Sequence, residues 1–385
     1  MRIDWLYVTY VIIFKIHTFK EYSMLVHICC SVDSHFFLQK LQKNYPEEKL
    51  VGFFYDPNIH PFSEHELRLL DVKRSCAKLG IPLHVGAYNY EGWIEAVRGL
   101  EGEPEKGKRC QVCFDNRLEM SAQKALELGE KVITTTLLTS PKKSLDQLEK
   151  ALRSIADQYH LDIVAPDFRK NGGTQEQFAL AKEAMLYHQD YCGCIFALSV
   201  QREQQKRWAD ELSSPVRPQI LPSSIEDRID LYEKVMELET KETPFKLVRE
   251  KFLNYRLLRA WIKNSQKEVI PSYILFYSVC KKEHVKAKIE MIIQDIGFLN
   301  KEEARFISLK MFNTFANTHY TNVQEMLQNP PTIAVEMAFR NGIIMSPFTS
   351  LTPLIVLDEV KIESYELFIQ SFTYPDIREN LVLIS

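Results

Sequence analysis

Apolar residues gather in short runs separated by stretches of helical length. The first run, Leu25, Val26 and Ile28, has the character of a buried strand and stops at two adjacent cysteines, Cys29 and Cys30. Phe36, Phe37, Leu38 and Leu41 follow at helical spacing, so a strand, a cysteine-bearing turn and a helix succeed one another. A second strand is expected over 50–55, ended by Asp56-Pro57-Asn58-Ile59-His60-Pro61, whose prolines and asparagine make an ordered, non-helical loop. An amphipathic helix over 64–79, closed by Gly80, leads to a third strand over 81–85. The charged turn 101–109 delivers Cys110-Gln111-Val112-Cys113 to a helix over 114–128 that Gly129 ends. A β-branched strand over 131–138, a helix over 145–159 and a fifth strand over 162–165 complete the series. Alternating strands and helices imply an α/β fold with a parallel sheet covered on both faces. After the basic, glycine-rich loop 167–173, Thr174 and Gln177 have the spacing of a capping box and open a further helix.

The pattern also sets the domain organisation. Residues 24–205 form one α/β domain, and the prolines and serines of 206–224 mark a linker. Beyond it, 225–385 is expected as a mostly helical accessory domain with a more strand-like end from Leu354. The apolar segment 5–14 is too short to cross a bilayer and lacks the small-residue cleavage pattern of a signal peptide. Because Met24 stands directly before the first strand, 1–23 is expected to be an upstream extension or an over-called start.

Composition narrows the class. The 385 residues are 45% hydrophobic and 26% charged, the balance of a globular protein with room for two cores. A net charge of -3 excludes a bulk, non-specific nucleic-acid binder and leaves any such contact to a local patch. Six of the eight cysteines fall in three close pairs, Cys29/Cys30, Cys110/Cys113 and Cys192/Cys194, in a chain too long for a disulfide scaffold. Metal or redox work in a reducing compartment, and hence a cytoplasmic location, is the expectation.

Cys29, Cys30, Cys110 and Cys113 supply four thiolates, the number that a 4Fe-4S cluster or a structural zinc requires. Adjacent cysteines grip one tetrahedral zinc only with strain but can serve neighbouring metals, which favours a cluster or a multi-metal site. Lys106, Lys108, Arg109 and Arg117 would favour thiolate over thiol. Asp33 has two readings, an oxygen ligand to a second, harder metal or a helix N-cap. A disulfide across Cys192-Gly193-Cys194 would close a strained, readily reduced loop, so redox exchange is expected there. His27, His60 and His188 are proton donors or ligands, or hydrogen-bonded core residues. Lys142, Lys143, Arg169 and Lys170 form either a phosphate-facing patch or a solvated loop. Ser31-Val32-Asp33-Ser34 lacks the two glycines of the S-G-G-x-D-S loop of PP-loop ATP pyrophosphatases, which disfavours ATP chemistry.

Six motifs in order, His27-Ile28-Cys29-Cys30, 53–61, Lys108 to Cys113, Thr134-Thr135-Thr136-Leu137-Leu138, 167–173 and Tyr191-Cys192-Gly193-Cys194, resemble the QueH family of epoxyqueuosine reductases. The resemblance covers 24–198, and Ser31-Val32 departs from the Ala-Pro that many members have there. It implies a HUP-like fold, a 4Fe-4S cluster and reduction of the wobble-position epoxyqueuosine of tRNA to queuosine with loss of water. It further implies Cys29, Cys30, Cys110 and Cys113 as the metal-binding thiolates and Cys192/Cys194 as the redox pair. A mononuclear iron or other divalent metal beside the cluster would take Asp33, and His60 or Tyr191 would give the proton. The expected partners are tRNA and an electron donor, ferredoxin- or flavodoxin-like or a dithiol, with no membrane. A non-catalytic zinc-binding tRNA module and a protein reductase using only Cys192 and Cys194 are the alternatives. Basic and aromatic residues interleaved from Phe245 to Trp261 either extend the tRNA grip or, on a helix, belong to the core.

Overall fold

A computed structural model describes residues 23–206, 208–212, 219–301, 304–344 and 346–384. The expected extension, up to residue 22, and the middle of the expected linker, 213–218, lie outside the described residues. The chain divides into two compact units, one holding the described residues up to Asn58 with Val72–His188, the other Ile59–Asp71 with the chain from Gln189 onward.

The first unit is built on β1 (Ser23–Ile28), α1 (Ser31–Asn44), β2 (Lys49–Phe54), α2 (Phe62–Leu79, which continues into the other unit) and β3 (Leu83–Val85). There follow α3 (Tyr90–Ala96), α4 (Lys108–Leu128), β4 (Val132–Thr135), α5 (Leu145–Tyr159), β5 (Asp162–Ile163) and α6 (Gly173–Glu183). Its five strands pair in the order β3-β2-β1-β4-β5, every pair parallel. The strand in the middle, β1, is buried from Met24 to Ile28, as a central parallel strand covered on both faces must be. Strand order reverses between β1 and β4, and the crevice beyond the carboxyl ends of strands at such a reversal is where α/β folds bind ligands.

Three local expectations shift. The fourth strand stops at Thr135, and Thr136–Thr139 make a tight 3₁₀ turn. Hydroxyls explain it: Thr135 accepts from the Leu137 N–H and Thr139 donates to the Thr136 carbonyl, satisfying backbone groups that a ladder would have used. The helix expected from 114 begins at Lys108, which puts Cys110 and Cys113 in its first turns. The α6 cap is Gly172, at φ +85°, and not Thr174. A Cβ on Gly173 would lie 1.8 Å from the Phe168 carbonyl oxygen, so the glycine pair exists to let two backbones meet.

In the second unit, α7 (Ile195–Gln204) and α8 (Ile225–Thr240) precede β6 (Phe245–Lys263), β7 (Val269–Ile270), β8 (Tyr273–Ile274), β9 (His284–Ile293), β10 (Ile296–Leu299) and β11 (Arg305–Ser308). The helices α9 (Leu309–Ala316), α10 (Val323–Gln328) and α11 (Ile333–Ile344), then β12 (Leu354–Leu357) and β13 (Ser364–Leu383), complete it. The expectation of a mostly helical 225–385 is corrected by an eight-stranded sheet in the order β7-β6-β13-β9-β10-β11-β12-β8. The text of β6 fits two periods, because its basic and aromatic residues also recur every three or four positions. Pairing with the whole of β13 decides for the strand: Ile262, Tyr365, Leu367 and Ile369 go into the core, with Trp261, Lys263, Glu366 and Phe368 on the other face. Among the described residues no helix is long and apolar enough to cross a membrane.

Candidate functional site

The site begins where β1 ends. His27 is buried between its neighbours, with Nε2 3.1 Å from the Tyr55 carbonyl and Nδ1 2.8 Å from the Thr135 hydroxyl. A carbonyl only accepts, so Nε2 carries the hydrogen. Burial first, then the Arg117 charge, holds the His27 pKa well below the ordinary histidine value, so the ring is neutral and Nδ1 accepts from Thr135. His27 is therefore a tie between the ends of three strands, the core reading of its two. The next residue but one, Cys29, donates its N–H to the Thr136 hydroxyl at 3.3 Å, which fixes the thiol over the β4 end.

Cys30 is the N-cap of α1, and Asp33 lies in that helix's first turn. The N-cap alternative for Asp33 thus falls, and its carboxylate turns inward. Cys29 Sγ stands 3.7 Å from both Cys30 Sγ and Asp33 Oδ2, and ligating atoms of the three residues all lie within 4.8 Å of one another. All three are buried at the positive end of a helix. Gln177 Nε2 donates to Asp33 Oδ1 at 2.7 Å, and the Thr139 hydroxyl, whose proton goes chiefly to the Thr136 carbonyl, lies 3.3 Å from the Asp33 carbonyl. The Cys29 hydrogen bond, burial and the Asp33 charge push the Cys30 thiol well up. Burial likewise raises Asp33, against the hydrogen bonds of both thiols and Gln177 and the Lys143 charge. The raised Cys30 thiol and Asp33 carboxyl hold protons that a cation would displace, and with the Cys29 sulfur beside them the donor set fits a metal ion.

Cys110 and Cys113 stand on α4, outside that 4.8 Å group. Cys113 is linked to it by Arg117, whose guanidinium hydrogen-bonds Cys113, feels the charges of Cys113 and Cys29, and is ion-paired with buried Asp56. Burial opposes the Arg117 charge, but these partners outweigh it and hold the guanidinium above its ordinary pKa. Of the basic residues expected to favour thiolate here, Arg109 turns away: its Nη1 donates to the carbonyls of Leu100, Glu101 and Glu103 and fastens the loop before α4. Cys110 Sγ accepts from the Lys106 N–H at 3.3 Å.

The basic loops divide. Arg169 Nη1 donates to the Ser140 and Lys143 carbonyls, at 3.2 and 3.0 Å, and braces one loop against the other. Lys142 and Lys170 are exposed, although Lys170 pairs with Asp167 at 3.3 Å. Lys143 is half-buried near Asp33 and lies over the Phe114 ring.

Cys192 and Cys194 belong to the second unit. Their turn is pinned from several sides: His60 N–H donates to the Gly193 carbonyl at 2.8 Å, Tyr191 Oη donates to the His60 carbonyl at 2.6 Å, and Arg68 Nη2 donates to the Tyr191 carbonyl at 2.9 Å. Arg68 is itself held by buried Glu64 at 2.7 Å. Gly193, at φ +97°, has no room for a side chain, since a Cβ would lie 2.8 Å from Ile59 Cγ1. Cys194 is the N-cap of α7, and its side chain makes no capping hydrogen bond. Desolvation lowers the His60 pKa, so its ring is neutral at pH 7. His188 is exposed and lies against the Phe178 ring.

Arg117 was expected beside the thiols, but sequence reasoning missed its partner Asp56 and the roles of Thr136 and Gln177, which also buttress the site. The one available signal was the side-chain type itself, a polar residue expected at an apolar position.

Comparison with known proteins agrees with the geometry. A model described as "Epoxyqueuosine reductase QueH" matches residues 24–200. A Helicobacter pylori protein of that name is 40% identical over 361 residues, 87% of this chain and 94% of the relative. A Thermotoga maritima protein of the same name is 35% identical over 185 residues, 47% of this chain but 93% of the relative, and one from Histophilus somni is 36% identical over 178 residues. The Helicobacter pylori relative thus spans most of both units, while the Thermotoga maritima one is matched almost whole by less than half of this chain. By that similarity, carried over nearly the full length of a relative, this chain belongs to the epoxyqueuosine reductase QueH family.

Proposed function

We propose that the chain reduces the epoxide of epoxyqueuosine in tRNA to the alkene of queuosine, with loss of water. The observation that carries this is the buried Cys29, Cys30 and Asp33 group at the strand-order reversal, in a chain of this family. The net change adds two electrons and two protons to the epoxide and releases its oxygen as water.

In this reading Cys29, Cys30, Cys110 and Cys113 hold a 4Fe-4S cluster, and Asp33 contributes to a mononuclear iron or other divalent metal beside it. Bound there, these groups supply single-electron transfer and a Lewis acid for the epoxide oxygen. Gln177 keeps the Asp33 carboxylate aimed inward, and Thr136 keeps the Cys29 sulfur at the crevice. The buried Arg117 offsets the negative charge that gathers where thiolates replace thiols. Cys192 and Cys194, on passing from dithiol to disulfide, release the two electrons and two protons that the reduction consumes. A ferredoxin- or flavodoxin-like protein, or an external dithiol, then restores the pair. Tyr191, whose hydroxyl is engaged with His60, steadies that turn, and the His60 imidazole relays a proton. Lys142 and Lys170, being exposed, meet tRNA phosphates, and Arg169 shapes their loops.

The test is anaerobic incubation of the metal-reconstituted full chain with tRNA bearing epoxyqueuosine and a chemical reductant, followed by nucleoside mass analysis. Queuosine is the expected product, two protons and two electrons richer and one water lighter. No conversion by a brown, cluster-loaded protein overturns the proposal, and a colourless protein holding only zinc would point to a non-catalytic tRNA module.

A further inference from the structure

The second unit carries an aromatic and cationic surface that the reductase chemistry does not use. Trp261 on β6, Phe368 on β13 and His284 on β9 occupy one cross-strand row. Their side chains share the face opposite the core, because their neighbours Ile262, Leu367 and Val285 are the buried ones. Trp261 and Phe368 stack with centroids 5.6 Å apart and planes 11° from parallel, and the His284 ring lies 5.8 Å from Trp261. Lys263 Nζ stands 4.6 Å above Trp261, and the Arg259 guanidinium 5.7 Å above Phe368.

Charge on this face is lopsided. Glu366, the acid of the next row, is already matched by His284 at 2.6 Å and Lys286 at 3.5 Å, and Glu283 beyond the row accepts from Gln370. Lys263 and Arg259 have only the rings beneath them among the contacts described, and Lys286 is 70% exposed. A protein partner's interface core is depleted of lysine, whereas a single-stranded nucleic acid brings what this face lacks: flat bases for the rings and phosphates for the cations. A flat sheet with outward aromatics is also a form in which unpaired RNA bases are commonly received.

We propose that this face, centred on Trp261 and Phe368, docks an unpaired loop of the tRNA substrate. The proposal rests on the tRNA reading above and adds to it a second point of contact, in the part of the chain beyond residue 200 where the family match ends. Bases take the ring faces that Lys263 and Arg259 cover in the free chain, as those cations, with Lys286, move to the backbone phosphates.

The test measures affinity of the full-length protein for an unmodified tRNA transcript with a wobble guanosine, by fluorescence anisotropy across a salt series. Trp261→Ala/Phe368→Ala is expected to weaken binding about tenfold or more. Lys286→Glu, a fully surface change that keeps both rings, is expected to weaken it about threefold and to flatten the salt dependence. Ultraviolet crosslinking of the wild type should join the RNA to the peptide carrying Trp261. Unchanged tRNA affinity in both folded variants overturns the docking proposal, including the case in which the double variant loses self-association instead, which would give the face to a second copy. The two readings fail separately. A chain that converts epoxyqueuosine while its variants bind tRNA normally loses only the docking, and one that binds through these residues without converting the nucleoside loses only the activity.

Discussion

Asp56→Ala would strand the Arg117 guanidinium in the interior. The two side chains are 1% and 5% exposed, so neither charge has water to fall back on, and Arg117 adjoins Cys113 and the field of Cys29. Breaking a buried pair from one side typically costs about 3 to 5 kcal/mol, because the surviving charge keeps its desolvation penalty. Whole domains are stable by only about 5 to 15 kcal/mol, so a metal-free Asp56→Ala chain should fold but melt early. Arg117→Met should cost a similar amount by taking the buried guanidinium from the carboxylate. The double variant removes both charges, and its loss should be less than half the sum of the single losses. Urea unfolding of the reduced, metal-free protein, followed by circular dichroism, measures all three. A single-variant cost under about 1 kcal/mol, or strict additivity in the double variant, would refute the view that this pair is a mutually dependent buried unit.

Other expectations follow from the same geometry. Gln177→Leu leaves Asp33 Oδ1 without its 2.7 Å donor and should destabilise the metal-free chain by about 1 to 3 kcal/mol; an unchanged urea midpoint would show that the contact is idle. Gly193→Ala forces a side chain into φ +97° and onto Ile59, with an expected loss of about 1 to 3 kcal/mol and slower dithiol oxidation; wild-type behaviour in both would mean that the turn relaxes freely. Burial lifts Glu336 from 4.5 to about 7, so the folded chain keeps a proton that the unfolded chain gives up between those values. Its contribution to stability is complete below pH 4.5 and is lost as pH rises through 7, by about 3 kcal/mol at most; Glu336→Gln should level that slope, and parallel slopes in both proteins would exclude Glu336 as its source. Asp33→Asn, reconstituted anaerobically, should hold about one metal ion fewer per chain than wild type by elemental analysis, and an equal count would remove Asp33 from the ligand set.

The parallel sheet was legible because short apolar or β-branched strands alternate with helical text, and the core of β1, Leu25, Val26 and Ile28, is the apolar run that the sequence shows. Asp33 was legible only in part: its place after Cys30 offered both a ligand and a helix cap, and it took the Cys30 cap of α1 to turn the carboxylate inward. Gln177 was not: it looked like half of a capping box, and only the Gly172–Gly173 approach to Phe168 turns it toward Asp33. The joining of Cys113 to Cys29 through Arg117 was likewise out of reach, because it depends on how α4 packs. The second unit was misread where β6 allows two periods, and its partner β13 lies more than 100 residues further along the chain.

The strand order has a consequence for biosynthesis. Thr136 lies 107 residues beyond Cys29, and Gln177 lies 144 beyond Asp33. At roughly 5 to 20 residues per second, Asp33 is made about 7 to 30 s before Gln177. During that interval the nascent chain carries an adjacent pair of thiols with no sheet to shelter them. The Cys29, Cys30 and Asp33 group is thus completed only after residue 177 has been made, and cells must keep the emerging cysteines reduced until β4 arrives.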